Sequence, residues 1–171
     1  MVSYGILGHQ GGLEMTYIQK TIDFLSKKGY TISFAESCTG GMIASSLVDV
    51  SGASSVFGYG FITYSADAKI SILGVQNETI KNHGIVSCEV AKEMALGASE
   101  KSKSDVAISV TGCAGPGTDE DGNEPGTICF GFYICGNLFA EKVLLNGNSR
   151  NEIRAAAVEH AYKRIVHFLS N

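Results

Sequence analysis

Six consecutive uncharged residues, Val106-Ala-Ile-Ser-Val-Thr111, read as a strand of the kind that is buried on both faces. Such a strand persists in water only inside a sheet covered on each side, and the flanking segments have the pattern of covers. Ile18, Ile22 and Leu25 fall at i, i+4 and i+7 and predict a helix that ends near Gly29. Tyr30–Ala35 alternates, with Ile32 and Phe34 on one side, as a strand does. Gly40-Gly41 opens a second helix carrying Ile43, Leu47 and Val48, and Val56–Tyr64 is aromatic and β-branched enough to be a strand. Ser65 caps a helix that runs to Leu73 and stops at Gly74, and Asn77 caps a short turn ending at His83-Gly84. Ser87 starts a longer helix with Ala91, Met94, Ala95 and Ala98 inward.

Beyond Thr111 the pattern changes. A turn-rich loop, Gly112–Gly126, holds both prolines of the chain. Thr127–Cys135 and Leu138–Leu145 then flank Gly136-Asn137, the signature of a two-residue hairpin. Ser149-Arg-Asn-Glu152 is a capping box that launches a final helix with Ile153, Ala157, Ala161, Ile165 and Phe168 inside. Helices alternating with strands, plus one inserted hairpin, predict an α/β fold. The expected form is a three-layer α/β/α sandwich whose mixed sheet includes one antiparallel hairpin. No repeat or linker interrupts residues 16–171, which are expected to form one domain. The first 15 residues have no period and are expected to be a flexible extension or a non-native remnant, with Met15 as an alternative start.

Composition narrows the function. Of 171 residues 44% are apolar and 18% charged, enough to bury a core. Thirteen Lys+Arg against 17 Asp+Glu give a net charge of −4, without a basic run, so nucleic acid is not an expected partner. No apolar stretch approaches the ~20 residues of a membrane helix, and no secretory signal is visible. Five cysteines without a C-x-x-C pair argue against a disulfide framework and a zinc site, and for a reducing, cytoplasmic location.

Three segments carry possible chemistry. Ala35-Glu-Ser-Cys-Thr-Gly-Gly41 joins a strand to a helix, where ligands of open α/β sheets bind. Its small residues let backbone N–H groups approach an anion or a developing oxyanion. It is otherwise a plain capped turn. Ser37 and Cys38 both offer nucleophiles. A cysteine nucleophile needs a histidine partner, and His9, His83, His160 and His167 are scattered, which leaves serine with a lysine base. Lys69, in Tyr64-Ser-Ala-Asp-Ala-Lys69, is either a solvated helix residue or a base with a lowered pKa. Thr111-Gly-Cys-Ala-Gly-Pro116 is a second glycine loop at a strand end, and two such loops suggest one shared pocket. The acidic run Asp119–Glu124 lacks a full calcium-loop pattern and reads as solvated. Arg150 and Arg154, one turn apart, either clamp a phosphate or lie along the surface.

These segments, together with Leu73-Gly-Val75, His83-Gly-Ile-Val-Ser87 and Arg150-x3-Arg154, resemble the CinA C-terminal domain family from about Thr16 to Leu169. The resemblance implies an amidohydrolase that acts on a carboxamide C–N bond, converting nicotinamide mononucleotide to nicotinate mononucleotide and ammonia. It implies a catalytic dyad of Ser37 and Lys69, with Tyr64 orienting it. Glu36, Thr39, Gly40, Gly41, Thr111, Gly112 and Arg150 are the implied substrate-binding residues, Arg150 on the 5′-phosphate. The N–H groups of Thr39–Gly41 are the expected oxyanion donors. No metal and no cofactor is expected, and a homodimer or higher homo-oligomer is, its contact helped by the apolar hairpin. The chain departs from the family at Glu124-Pro-Gly-Thr127, where Lys/Arg-Pro-Val-Gly-Thr is usual, and at Gly147-Asn-Ser-Arg150, where Gly-Asp-Arg is. The alternative is a nucleotide-binding or regulatory module without catalysis.

Overall fold

The computed structural model describes residues 16–170, so the segment 1–15 lies outside the described residues. The elements follow in the order α1 (Tyr17–Lys28), β1 (Ile32–Glu36), α2 (Met42–Val48), β2 (Phe57–Ile62), α3 (Ala66–Leu73), α4 (Asn77–His83), α5 (Cys88–Ser102), β3 (Val106–Gly112), β4 (Thr127–Ile134), β5 (Asn137–Leu144) and α6 (Arg150–Ser170). The strands form one sheet in the order β2-β1-β3-β4-β5. β1 is parallel to both β2 and β3, whereas β4 and β5 are antiparallel additions, as the mixed-sheet expectation required.

The crossovers β1→β2 and β2→β3 run in opposite directions across the sheet. Right-handed connections then place their helices on opposite faces. That is the observed segregation: Ile43 and Leu47 of α2 join α1 and α6 against Phe34, Ile108 and Phe130. On the other face Leu73, Val90, Met94 and Ala98 of α3 and α5 pack against Ala35 and Ala107. The chain leaves the carboxyl ends of β1 and β3 toward opposite edges, so a crevice opens between them, the usual ligand position in such sheets.

Close approach of helices sharpens this packing. A Cβ on Gly97 of α5 would sit 1.9 Å from the Leu73 carbonyl oxygen, a backbone atom that cannot step aside. Gly97→Ala is expected to cost about 3 kcal/mol by forcing α3 and α5 apart. A denaturant midpoint that drops at unchanged slope is the check.

Three local expectations shift. β1 starts at Ile32 because the Tyr30 N–H closes α1 on the Leu25 carbonyl and the Thr31 N–H donates to Asp105. The hairpin turns on Cys135-Gly136, whose φ values of 48° and 93° suit a two-residue primed turn, and Asn137 is already paired with Ile134. Gln76, not Asn77, is the N-cap of α4. Elsewhere the capping signals hold: the Ser65 and Ser87 hydroxyls accept the N–H groups of Ala68 and Val90. The Ser149 hydroxyl takes the Glu152 N–H, while the Glu152 carboxylate reaches one residue further back, to the Asn148 N–H. No helix among the described residues is long and apolar enough to cross a membrane.

Candidate active site

The turn from β1 into α2 is built around a buried carboxylate. Glu36 ends β1 and points its side chain at the start of α2, where the helix leaves N–H groups without internal partners. Its carboxylate accepts from the N–H groups of Gly41 (2.9 Å), Ile43 (3.1 Å) and Ala44 (2.9 Å), and from the Thr39 hydroxyl (2.6 Å). Glu36 and Thr39, expected on the substrate, are thus engaged with one another and with the helix. The Gly41 N–H is taken by Glu36 and the Gly40 N–H by the Ser37 carbonyl, which removes both from the expected oxyanion donors. Gly40 and Gly41 instead supply the left-handed backbone, φ 60° and 97°, that lets the turn fold back on Glu36. Glu36→Gln keeps the volume but loses the charge and turns an amide group toward N–H donors. It is expected to lower stability by about 2–4 kcal/mol, read from thermal unfolding.

Ser37 follows Glu36 and is held by its N–H on the Val110 carbonyl of β3. Lys69 lies on α3, four residues before Leu73, so it occupies the buried stripe of that helix. Its side chain is fully buried. The Nζ donates to the carbonyl oxygens of Thr63 (2.7 Å) and Tyr64 (3.2 Å) and lies 2.9 Å from the Ser37 Oγ. A neutral amine has two N–H bonds and one lone pair. As an ammonium the Nζ donates to the Ser37 Oγ, whose hydroxyl donates to the Tyr64 carbonyl at 3.4 Å; in the neutral amine, with two N–H bonds on carbonyls, the lone pair is left for the serine. Burial lowers the Lys69 pKa to about 8, against a weaker opposing influence of the Cys38 thiol. Cys38, next in sequence, is driven the other way: burial raises its thiol to about 12, so it stays protonated. The two candidate nucleophiles are therefore separated by environment.

Ser37 and Cys38 lie in a cleft of about 550 Å³ between the ends of β1 and β3. Thr111 and Gly112 line it from β3, Tyr64 and Ala66 from the start of α3, and Ile80, Ile85 and Val86 form an apolar wall. The Thr111 hydroxyl donates to the Ile85 carbonyl, tying β3 to that wall. Tyr64 is 61% exposed; its phenol oxygen accepts from Arg150, which also donates to the Gly115 carbonyl at 2.6 Å. Arg150 thus bridges the second glycine loop to Tyr64, ahead of α3, at the cleft mouth. The acidic run is solvated, as read from sequence, with Glu120, Asp121 and Glu124 exposed; it also borders the cleft, where Asp119, Glu120 and Asp121 line one side and the Asp121 carboxylate accepts the Ile85 N–H. Arg154, left open between two roles, donates to the carbonyls of Cys38 and Thr39. Neither contact has a local sequence signal, since each joins segments far apart in the chain. Glu124, Asn148 and Ser149, where the chain departs from the family pattern, are not cleft residues. His160 pairs with Glu141 beside Arg164, away from the cleft, as a packed side chain does.

The CinA C-terminal domain profile matches residues 14–169. The CinA-like protein of Petrotoga mobilis is 44% identical over 144 residues, 84% of this chain and 36% of that one. The chain spans just over a third of the length of the curated relatives it matches. Solved structures agree over the whole domain. The competence/damage inducible protein CihA from Agrobacterium tumefaciens superposes with a TM-score of 0.85 at 36% identity, covering 91% of this chain and 94% of that one. A CinA superfamily protein from Klebsiella pneumoniae gives 0.87 at 30%, covering 90% and 96%. Fold, motifs and cleft lead to one assignment: the chain belongs to the CinA C-terminal domain family.

Proposed function

We propose that the protein is an amidohydrolase that converts nicotinamide mononucleotide to nicotinate mononucleotide and ammonia. The observation that carries this reading is the 2.9 Å approach of the buried Lys69 Nζ to the Ser37 Oγ on the cleft floor. Neutral Lys69 takes the Ser37 proton as Oγ attacks the carboxamide carbon. The same ammonium then protonates the departing amide nitrogen, which leaves as ammonia. Water then gives a proton to Lys69 as its oxygen attacks the acyl carbon, and Lys69 returns that proton to the Ser37 Oγ as the C–Oγ bond breaks, freeing the acid and restoring the neutral amine. The Cys38 N–H stands directly after the nucleophile in the chain. It is our choice for the oxyanion donor. Ile80, Ile85 and Val86 suit the face of a pyridine ring, and Arg150 at the mouth suits the phosphate.

Ammonia release from the purified protein tests this, with nicotinamide, NAD and asparagine as controls. Release with nicotinamide mononucleotide alone supports the reading, and no release above the Ser37→Ala blank overturns it. We also infer self-association in the cytoplasm. The hairpin buries Phe130 and Phe132 beneath α6, and large apolar side chains stay open on both edge strands, at Tyr59 and Ile62 on β2 and at Leu138 and Leu144 on β5. Sedimentation at micromolar concentration is expected to give more than the monomer mass.

A further inference from the structure

We propose that Arg154 is a positioning residue that holds the nucleophile turn through its backbone carbonyls. The inference rests on the reading of Ser37 as an acyl-transfer nucleophile. The Arg154 guanidinium donates from Nε to the Cys38 carbonyl (3.0 Å) and from Nη2 to the Thr39 carbonyl (2.9 Å), and Nη1 reaches Asn151 (3.2 Å). Peptide units are planar, so fixing these two oxygens fixes the planes that join Cys38 to Thr39 and Thr39 to Gly40.

The rest of the turn is held by other groups. Glu36 collects N–H donors on the α2 side, and the Ser37 N–H is tied to β3. On the carbonyl side the Thr39 oxygen also accepts from the Met42 N–H at 3.3 Å, a long contact, and the Cys38 oxygen depends on the arginine. The anchor itself is rigid, because Ile153 and Ala157 on either side of Arg154 are in the core. One planar, permanently charged fork holds two carbonyls in a fixed relative geometry through separate nitrogens, which a freely rotating ammonium does not. Without it the Cys38 and Thr39 torsions loosen, and the Oγ no longer stays in line with the Lys69 lone pair. A shift of about 1 Å at such a site costs about 10²-fold in rate.

The test uses a fluorophosphonate, which reports nucleophile reactivity without the nucleotide substrate. Ser37 Oγ forms a bond to phosphorus, the P–F bond breaks, fluoride leaves and the serine proton passes to Lys69. Arg154→Ala is expected to be labelled about 10²-fold more slowly, and millimolar guanidinium ion to restore at least part of that rate. Arg154→Lys is expected to fall between the two, with its labelling pH midpoint still near the Lys69 value of about 8. In nucleotide turnover, kcat falls more than KM rises. Labelling of Arg154→Ala at the wild-type rate overturns the proposal, as does a loss that guanidinium does not restore. If Arg154→Ala does not fold, wild-type labelling of a stable Arg154→Lys overturns it. A wild-type protein labelled at Ser37 that releases no ammonia removes the substrate reading and leaves this one standing.

Discussion

Ser37→Ala is expected to lower ammonia release from nicotinamide mononucleotide by about 10⁴-fold or more, the loss typical of removing a covalent nucleophile. The fold should survive, because the Ser37 N–H still bonds to Val110 and the Lys69 Nζ still donates to two carbonyls. A stability change of about 1 kcal/mol is expected for losing the hydroxyl's contacts with the Lys69 Nζ and, at 3.4 Å, the Tyr64 carbonyl. Cys38→Ala is the matched control. Its thiol, pushed to about 12 by burial, has almost no thiolate at neutral pH, and turnover needs only its backbone. That variant should keep turnover within about tenfold while losing about 1 kcal/mol of packing. An active Ser37→Ala beside an inactive Cys38→Ala would reverse the assignment.

Local physics made most of the fold legible. The β3 run needs cover on both faces, and the periods of Ile22 and Leu25, Met94 and Ala98, Ile153 and Ala157 supply it. Caps at Ser65 and Ser87 were readable because a hydroxyl bonds its own helix within three residues. The hairpin slipped by one residue because Cys135 takes a positive φ that favours glycine or asparagine, and no side-chain pattern announces that. Tyr162 is fully buried next to the Ala161 stripe, donating to the Ile43 carbonyl at 2.6 Å. It escaped because a tyrosine is as often at a surface as inside. The site divides in the same way. Two strand ends with small residues marked the crevice. The pairing of Ser37 with Lys69 came from family resemblance, since nothing in the period of α3 distinguishes a buried base from a buried stem. Glu36 turning inward, Arg154 clasping the turn and Asp121 closing on Ile85 are tertiary contacts, set by how layers meet.

Turnover is expected to rise about tenfold per pH unit below an ionisation near 8 and to level off above it, because the base must be neutral to act and burial lowers Lys69 to about that value. An unburied lysine would place the same rise more than two units higher, near its ordinary 10.5. Lys69→Arg should be inactive at every accessible pH, since guanidinium does not deprotonate. Lys69→Met should also lose turnover, by about 10³-fold or more. Its stability carries a separate signature. Above 10.5 the lysine is neutral in both folded and unfolded chains, so burial exacts no charge penalty. As pH falls from 10.5 toward 8 the unfolded chain takes up the proton first, and the wild type loses stability relative to Lys69→Met. Below 8 both states are charged and the difference stays constant. At neutral pH relief of that penalty opposes the loss of donors for the Thr63 and Tyr64 carbonyls, so the two proteins should unfold within about 2 kcal/mol of each other. Unfolding curves for both proteins between pH 7 and 11, run beside the rate profile, test the two consequences of one buried amine. A rate profile flat through pH 8, or near-native turnover by Lys69→Arg, would remove Lys69 as the base.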